Sequence, residues 1–277
     1  MKIRLCVWAL VCAAALRPAE GQSISAGLLY QDNITRADRS ADELDETFLR
    51  IDAAKTWSKA LDRDWRWDAQ VRGAGEAGFE YTDLNQVSVG GDVGLTYKAG
   101  LGRQAPHWRA GVAADYAWFD ESDRSRSLLS PELRLTQRLN ATVVGELYVR
   151  HERAEAEAEL FDSRANVAGL LLRWAAGRTW SLVGGYQYRD GDVVSYAGGM
   201  RDDIDAVADV SAPMIEAFDR TLYAYRLEAK THVAQFGGAV ALGKRWTLDA
   251  LYEWQQTEEY PISYEVQIFQ VALRVAL

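Results

Sequence analysis

The stretch Lys244-Arg245-Trp246-Thr247-Leu248-Asp249-Ala250-Leu251-Tyr252-Glu253-Trp254 contains the pattern that decides the fold of this chain. From Trp246 onward its even positions are apolar or aromatic, whereas its odd positions include threonine, aspartate and glutamate. Because side chains of a β-strand alternate between two faces, this strand has one face suited to hydrocarbon and one suited to water. Aromatic residues stand at both ends of the run. This combination is typical of a strand that crosses a membrane around a polar interior.

The same pattern occurs five times, each time after a short break that carries a basic residue. Four of the runs open on tryptophan, and the run that follows Asn140 does not. Tryptophan prefers the boundary between lipid and water. Since the four tryptophans all follow short turns, we predict that they form one aromatic girdle at a single end of the molecule: Trp65, Trp108, Trp180 and Trp246.

The beginning of the chain predicts secretion. Residues 1–21 combine a basic start with a short apolar stretch and end in the small-x-small cleavage pattern Ala19-Glu20-Gly21. Both cysteines, Cys6 and Cys12, lie in this signal, so the mature chain is predicted to contain no disulfide. We therefore expect a signal peptide over 1–21 and a single β-barrel domain over 22–277.

Composition and motifs narrow the classes of function. The formal charge of −9, from 31 basic and 40 acidic residues, argues against a nucleic-acid partner. The sequence has no metal-ligand spacing and no phosphate-binding loop, so we predict neither a metal nor a cofactor. A soluble periplasmic β-sandwich is the alternative at the level of the fold.

Counting the alternating segments predicts an all-β, up-and-down antiparallel barrel of about twelve strands. Ten or fourteen strands remain as alternatives, because the sixth and eighth segments alternate weakly. An even count returns both termini to one side of the membrane. The tenth strand, near Leu222–Leu242, changes phase at Gln235-Phe236-Gly237-Gly238, which predicts a β-bulge. Long loops are expected to include Gln255–Ile262 and, as the longest, Asp190–Arg220.

In this pattern, residues 22–277 resemble the Gram-negative outer-membrane β-barrel proteins, and more loosely the twelve-stranded ones. The opening stretch, from Gly27 to Asn33, is similar to the first strand of porin-type barrels without an assigned activity. The last strand looks like their assembly signal, although it ends on Leu277 where phenylalanine or tryptophan is usual. The resemblance carries no functional residue.

This resemblance implies a location and partners. The chain is expected in the cell outer membrane after cleavage of the signal peptide. Its short turns, both termini and the tryptophan girdle are expected to face the periplasm. Its partners would be membrane lipid and lipopolysaccharide, and the barrel-assembly machinery that reads the last strand.

The polar faces of the strands predict a charged lumen. Arginines and acids are roughly balanced there, so two interpretations stay open. In one, the charges cross-link and stiffen a narrow barrel; in the other, arginines line one wall and acids the opposite wall, which forms a path for small charged solutes with a weak preference for anions. The predicted lumen-lining residues are Arg50, Asp52, Arg66, Asp68, Arg72, Asp92, Arg109, Asp115, Glu132, Arg134, Glu146, Arg150, Gln187, Arg189, Arg226, Glu228, Lys230, Asp249, Glu253 and Arg274.

The functional prediction is a narrow passive channel for small charged solutes. A plugged structural or surface-interaction barrel is the alternative, and an outer-membrane hydrolase is the third hypothesis. The hydrolase needs a histidine beside a serine, but His107, His151 and His232 have no serine within three residues. We therefore predict that the protein is not an enzyme. The acidic loop over Asp190–Arg220 is expected to be solvated and mobile, to fold over the mouth, or to bind divalent cations.

Overall fold

The computed structural model describes residues 21–214 and 217–277, so almost all of the predicted signal peptide lies outside the described residues. The connections between strands contain 3₁₀ turns and one helix, α1 (Asp202–Asp205), and no helix in the described ranges is long and apolar enough to cross a membrane. The strands are β1 (Gln22–Gln31), β2 (Glu46–Ala60), β3 (Trp65–Gly78), β4 (Gln86–Lys98), β5 (His107–Phe119), β6 (Arg126–Arg138), β7 (Val143–Ala156), β8 (Ser163–Ala175), β9 (Trp180–Ala197), β10 (Val210–Met214), β11 (Leu222–Ala241), β12 (Trp246–Glu259) and β13 (Ile262–Ala276).

Twelve of these strands close into an antiparallel barrel. Around the ring, each of the twelve strands pairs with the wall strand before it and the wall strand after it in the sequence. β1 pairs with β13, which closes the ring, and β9 pairs directly with β11 because β10 is not part of the wall. The predicted twelve-stranded up-and-down barrel is confirmed. β10 is an additional strand that pairs with β11 alone. At the seam Ser23 lies opposite Ala276, so both ends of the barrel domain lie at the same end of the barrel.

The two ends of the barrel differ in their connections. The connections 61–64, 99–106, 139–142, 176–179 and 242–245 lie at one end with the termini, which we call the short-turn end because all but 99–106 have four residues. The longer connections, including 32–45 and 198–221, lie at the other end, the long-loop end. The long loop expected at Gln255–Ile262 is wrong, because β12 and β13 run on to a tight turn at Tyr260-Pro261.

The outer surface of the barrel is apolar around its circumference. Leu28, Val71, Leu147 and Val271, from four different strands, are all about half exposed, at 49–52%. Soluble monomers rarely leave a continuous apolar surface of this extent in contact with water. The outer face is therefore suited to hydrocarbon, and the lumen is left to the polar side chains.

The tryptophans at the strand starts lie at the short-turn end and point outward. Trp65 packs against Tyr97 of the next strand, with 4.8 Å between ring centroids. The run after Asn140 has no tryptophan of its own, but Trp174 of β8 lies opposite Val143 and occupies the equivalent place. The aromatic band at this end is thus continued by a neighbouring strand. That the band faces the periplasm stays a prediction.

β11 contains no bulge. Its pairing with β9 and with β12 continues without interruption through Gln235-Phe236-Gly237-Gly238. Gly237 and Gly238 lack side chains, so they hide the alternation in the sequence without breaking the ladder. Even-numbered residues of β11 therefore face outward along the whole barrel wall, as the 60% exposure of Phe236 shows.

Candidate functional site: a charged lumen below a closed mouth

β9 and β11 continue beyond the rim of the barrel and, with β10, form a three-stranded extension (residues 192–214 and 217–229). Gly191 stands where β9 leaves the barrel wall, with φ of +154°. A Cβ atom there would lie 2.1 Å from the carbonyl oxygen of Arg164 on β8. Only glycine permits this close passage of the two backbones. The extension therefore begins at a position that requires glycine.

One face of the extension packs against the inside of the barrel wall. Tyr225 and Leu227 of β11 are completely buried, and they form a cluster with Ile262, Tyr264 and Val266 at the start of β13. Because the β13 residues lie on the lumen side of their strand, the extension lies over the lumen rather than outside the barrel. This apolar contact holds it across the opening.

The opposite face of the extension closes the mouth through a second apolar group, which we call the mouth cluster. Its members come from β2, from the β3–β4 and β7–β8 connections and from the extension, so they converge from around the ring. Phe218 lies at its centre, with ring centroids 5.1 Å from Tyr196 and 5.8 Å from Tyr81. The mouth cluster consists of Phe48, Tyr81, Leu84, Leu160, Phe161, Tyr196, Ala217, Phe218, Leu222 and Ala224.

The loop 32–45 clasps the extension with hydrogen bonds. The Tyr196 amide donates to the carbonyl of Thr35, and the Ser195 hydroxyl donates to the carbonyl of Arg36 at 2.7 Å. Arg201 bridges Asp38 at 2.7 Å and Asp203 at 2.6 Å. The hydrogen bond from Arg201 lowers the pKa of Asp203 to about 2, so this contact persists in all but strongly acidic solution.

The long acidic connection is thus a folded closure of the mouth. Of the alternatives left open for Asp190–Arg220, the structure shows the segment folded over the mouth, and the solvated mobile loop is wrong for its described part. Within residues 21–214 and 217–277, no three potential metal ligands converge. The apolar residues of the extension decide its position, although eight acidic residues dominate the composition of the segment.

Below the closure, arginines and carboxylates are interspersed on the inner faces of the barrel strands. Arg109 contacts Asp68 at 2.6 Å and also Asp92. Arg72 pairs with Asp115 at 2.5 Å. Further ion pairs join Arg50 to Asp52 and Glu76, Arg134 to Glu132 and Glu146, Arg150 to Glu152, and Arg274 to Asp249. The two signs are intermixed on the same strands, so the interpretation with separate arginine and acid walls is wrong.

The cross-linked charges do not fill the lumen. A cavity of about 440 Å³ lies against the charged faces of β3 to β7. A second, of about 340 Å³, lies against Arg173, Asp249 and Arg274 near the short-turn end. Cavities of this size hold many water molecules. The arrangement is a narrow, hydrated and electrically balanced interior under an apolar closure.

Three predicted lumen residues lie outside the lumen. Glu228 and Lys230 lie on the even, outward face of β11, where they are opposite Asp192 and Asp190 of β9 in the strand register, and both are exposed. Arg226 lies in the extension and contacts Glu159 of the β7–β8 connection. The supposed bulge had placed these three residues inside. Because no bulge exists, the outward phase continues past the apolar band into water, where charged side chains are favoured.

The other predicted lumen residues lie on inner faces, but several participants were missed. Glu76, Glu152 and Arg173 join the ion pairs. Glu76 continues the alternation of β3 beyond the predicted strand end at Gly73, so a longer strand assignment would have included it. Arg36 and Arg126 enter the lumen from the loop 32–45 and from the first residue of β6. Arg36 lies in a loop, where side chains do not alternate between two faces, so the sequence pattern could not predict its place. The tertiary fold sets it.

The histidines lie on the outer side of the barrel or at its turns. His151 faces outward, with its Nδ1 2.9 Å from the Oδ1 of Asn166. The groove around it contains Pro131, Leu133 and Tyr188, and among the described residues that line it there is no serine, threonine or cysteine. His232 contacts the hydroxyl of Tyr186 at 2.6 Å. His151 is therefore an oriented histidine, but the described residues of its groove contain no serine, threonine or cysteine nucleophile beside it.

Replacement of Arg109 by methionine is expected to destabilise the barrel by roughly 1–3 kcal/mol, because Asp68 and Asp92 lose their counter-charge in a partly dehydrated wall. The measurement is equilibrium unfolding by guanidinium in detergent micelles. Arg66→Met is the matched control, since Arg66 is exposed on the same inner face and forms no salt bridge among the described residues. Equal destabilisation of the two variants would contradict a structural role of the ion pairs.

Solved structures of other proteins share this architecture. No protein-family model and no curated protein matches the sequence. An outer membrane channel from Pseudomonas putida F1 superposes with a TM-score of 0.59 at 11% identity, over 95% of this chain and 97% of that one. The fold is that of the outer-membrane porins and channels.

Two further structures resemble this outer-membrane barrel more distantly. The NanC porin has a TM-score of 0.49 at 8% identity, over 93% of this chain and 100% of its own. Outer membrane phospholipase A from Escherichia coli has a TM-score of 0.48 at 11% identity, over 91% and 92% of the two chains. At these identities the similarity concerns the fold alone.

Proposed function

We propose that the protein is a narrow outer-membrane channel for small charged solutes, held closed at the long-loop end by the extension. The observation that carries the proposal is the hydrated lumen with balanced charges below a closure that is separate from the wall. A filled barrel would need no such cavities, and a charge-lined path compensates a solute for the water it loses on entry. The channel named among the structural neighbours, the one from Pseudomonas putida F1, has the same architecture.

The outer face and the rims of the barrel support a location in the outer membrane. The apolar outer face would contact membrane lipid, and the polar rim at the long-loop end would contact lipopolysaccharide. We infer that the short-turn end faces the periplasm, as in other barrels whose longer loops are exterior. The last strand would be the segment that the barrel-assembly machinery recognises.

Planar-bilayer recordings test the channel. Purified wild-type protein is expected to produce discrete but infrequent conductance steps, because the mouth cluster favours the closed state. The control is the same preparation heated until its barrel unfolds, which is expected to be silent. If the folded protein is silent, and stays silent when the mouth cluster is weakened, the channel proposal is overturned.

One observation favours a second candidate function, a plugged barrel with a structural or surface-interaction role. Both faces of the extension are buried, which is more contact than a closure needs if it opens often. Conductance separates the two, since a structural barrel remains closed in every variant.

The hydrolase hypothesis has the His151–Asn166 contact in its favour. The missing nucleophile in the described groove leaves it the weakest of the three.

A further inference from the structure

Three arginines project into the upper lumen. Arg36, Arg126 and Arg189 line one cavity of about 270 Å³ below the extension, and the carboxylates of Glu152, Asp192 and Glu253 line it with them. Among the described residues, Arg36 and Arg126 form no salt bridge, and Arg189 reaches Glu152 only at 3.8 Å. Glu152 is already paired with Arg150 at 2.7 Å. By contrast, Arg50, Arg109 and Arg134 of the salt-bridge network have carboxylate partners at 2.6, 2.6 and 2.9 Å.

The like charges lie within range of one another. The positive charges of Arg36, Arg124 and Arg189 all act on the guanidinium of Arg126. Mutual repulsion of this kind raises the free energy of the empty site, and a bound anion removes it. Arg124 differs from the other three because it is paired with Glu121 at 2.5 Å and stacks on Phe161. Among the described residues, Arg36 and Arg126 are therefore the members of the group that have no salt bridge.

The backbone at Arg36 is built to hold its side chain in this place. Arg36 has φ of +51°, a left-handed conformation that residues other than glycine rarely adopt. Its neighbours Asn33, Thr35 and Ala37 are almost completely buried, at 2%, 0% and 0% exposure. The Asn33 side chain accepts from the Ala37 amide at 3.0 Å and donates to the Ala37 carbonyl at 3.0 Å. A strained residue on so rigid a loop suggests that the direction of its side chain matters.

The same two arginines also line a neighbouring cavity of different character. This cavity, of about 260 Å³, is bounded mainly by apolar side chains, including Leu29, Phe48, Leu84, Phe119, Phe161 and Ile268. Among the described residues that line it, Glu76 carries the one carboxylate, which is neutralised by Arg50 at 2.6 Å and accepts from Gln86 at 2.5 Å. The volume is below the range of about 300–1,000 Å³ that is usual for drug-sized ligands. An occupant must be small.

We propose that Arg36 and Arg126 form a binding site for a small organic anion, whose carboxylate lies between the two guanidinium groups while its apolar body lies in the cavity lined by Phe48 and Phe119. The proposal names the solute class of the channel proposed above and in that respect rests on it. Two arginines provide charge-assisted hydrogen bonds for a carboxylate, and the apolar wall disfavours a fully hydrated inorganic ion.

Equilibrium dialysis with radiolabelled benzoate tests the site in the folded full-length barrel in detergent, where slow entry does not matter. Benzoate is expected to bind one site, and the double variant Arg36→Gln/Arg126→Gln is expected to lose at least about tenfold in affinity. Arg66→Gln is the matched control, with the same change of charge at the other end of the lumen, and it is expected to bind like wild type. The heat-modifiable migration of each variant on a gel shows that the barrel is intact.

Two competitors define the chemistry. Benzyl alcohol, the neutral analogue, and inorganic phosphate are both expected to displace benzoate at least about tenfold less effectively than unlabelled benzoate. Equal competition by benzyl alcohol, equal competition by phosphate, or unchanged binding in the double variant would each overturn the site. Because dialysis needs no transport, binding without conductance would overturn the channel and leave the site standing, whereas conductance without binding would do the opposite.

Discussion

Replacing Tyr196 and Phe218 together by alanine is expected to convert a mostly closed barrel into one that is open most of the time. The two rings are 3% and 2% exposed and lie in contact at the centre of the mouth cluster. Loss of a buried aromatic ring typically costs about 3–5 kcal/mol. A shift of about 5.5 kcal/mol already moves a two-state equilibrium from 1:99 to 99:1. Removal of both rings therefore suffices to release the extension, provided that the barrel wall itself stays closed.

The measurement is the open probability in planar bilayers at fixed voltage. The matched control is Phe79→Ala/Tyr260→Ala, which removes two aromatic rings that are 67% and 86% exposed in connections at the same end of the barrel. This control is expected to behave like wild type. If the Tyr196→Ala/Phe218→Ala protein keeps its heat-modifiable migration but conducts no more than the control, the mouth cluster does not gate the lumen.

Gly27→Val is expected to prevent closure of the barrel. Gly27 lies on the inner face of β1 at the seam, opposite Ala272 of β13. A Cβ atom at this position would be 2.2 Å from the carbonyl oxygen of Val271 and 2.7 Å from the Cα of Ala272. These are backbone atoms, so no change of rotamer relieves the clash and the two strands must separate. Unpaired backbone groups facing lipid cost several kcal/mol each, so a partly opened seam is strongly unfavourable.

The expected result is at least a tenfold loss of the heat-modifiable barrel on refolding into detergent and on assembly in membranes. Gly184→Val is the matched control, because the same side chain is added to a strand of the same barrel at a place where nothing lies within 4 Å of the new Cβ. It should fold normally. Normal folding of Gly27→Val would mean that β1 and β13 are less closely apposed than the seam geometry indicates.

Prediction from sequence succeeded where the local pattern and the environment agree. The alternation along β3, β5 and β12 indicates the inner and outer faces, because every second side chain of a wall strand meets the same solvent. The charged residues of β3 and β5, such as Asp68 and Arg109, were therefore placed on the lumen side. Their pairing partners were not, since a contact between strands depends on the register and tilt of the barrel and not on spacing along one strand.

Prediction failed where glycine removed the signal or where a segment left the wall. Gly237 and Gly238 interrupted the alternation of β11, and the inferred bulge moved Glu228 and Lys230 to the wrong face. The connection after β9 was judged by its acids, although Tyr196 and Phe218 decide where it lies. The charges of such a segment stay in water in either state, so its few buried apolar residues determine the free energy of its position.

The sequence by itself predicted a barrel of about twelve strands with an apolar exterior, tryptophans at one end and a charged interior, because a two-residue period of apolar and polar side chains is what a wall between lipid and water requires. Only the tertiary structure decided that the mouth is closed, that most lumen charges are paired, and that Arg36 and Arg126 line the same cavities without a salt bridge to the described residues. These properties depend on residues far apart in the chain, Arg36 and Arg126 among them. Such contacts arise only when the ring closes and the extension folds across it.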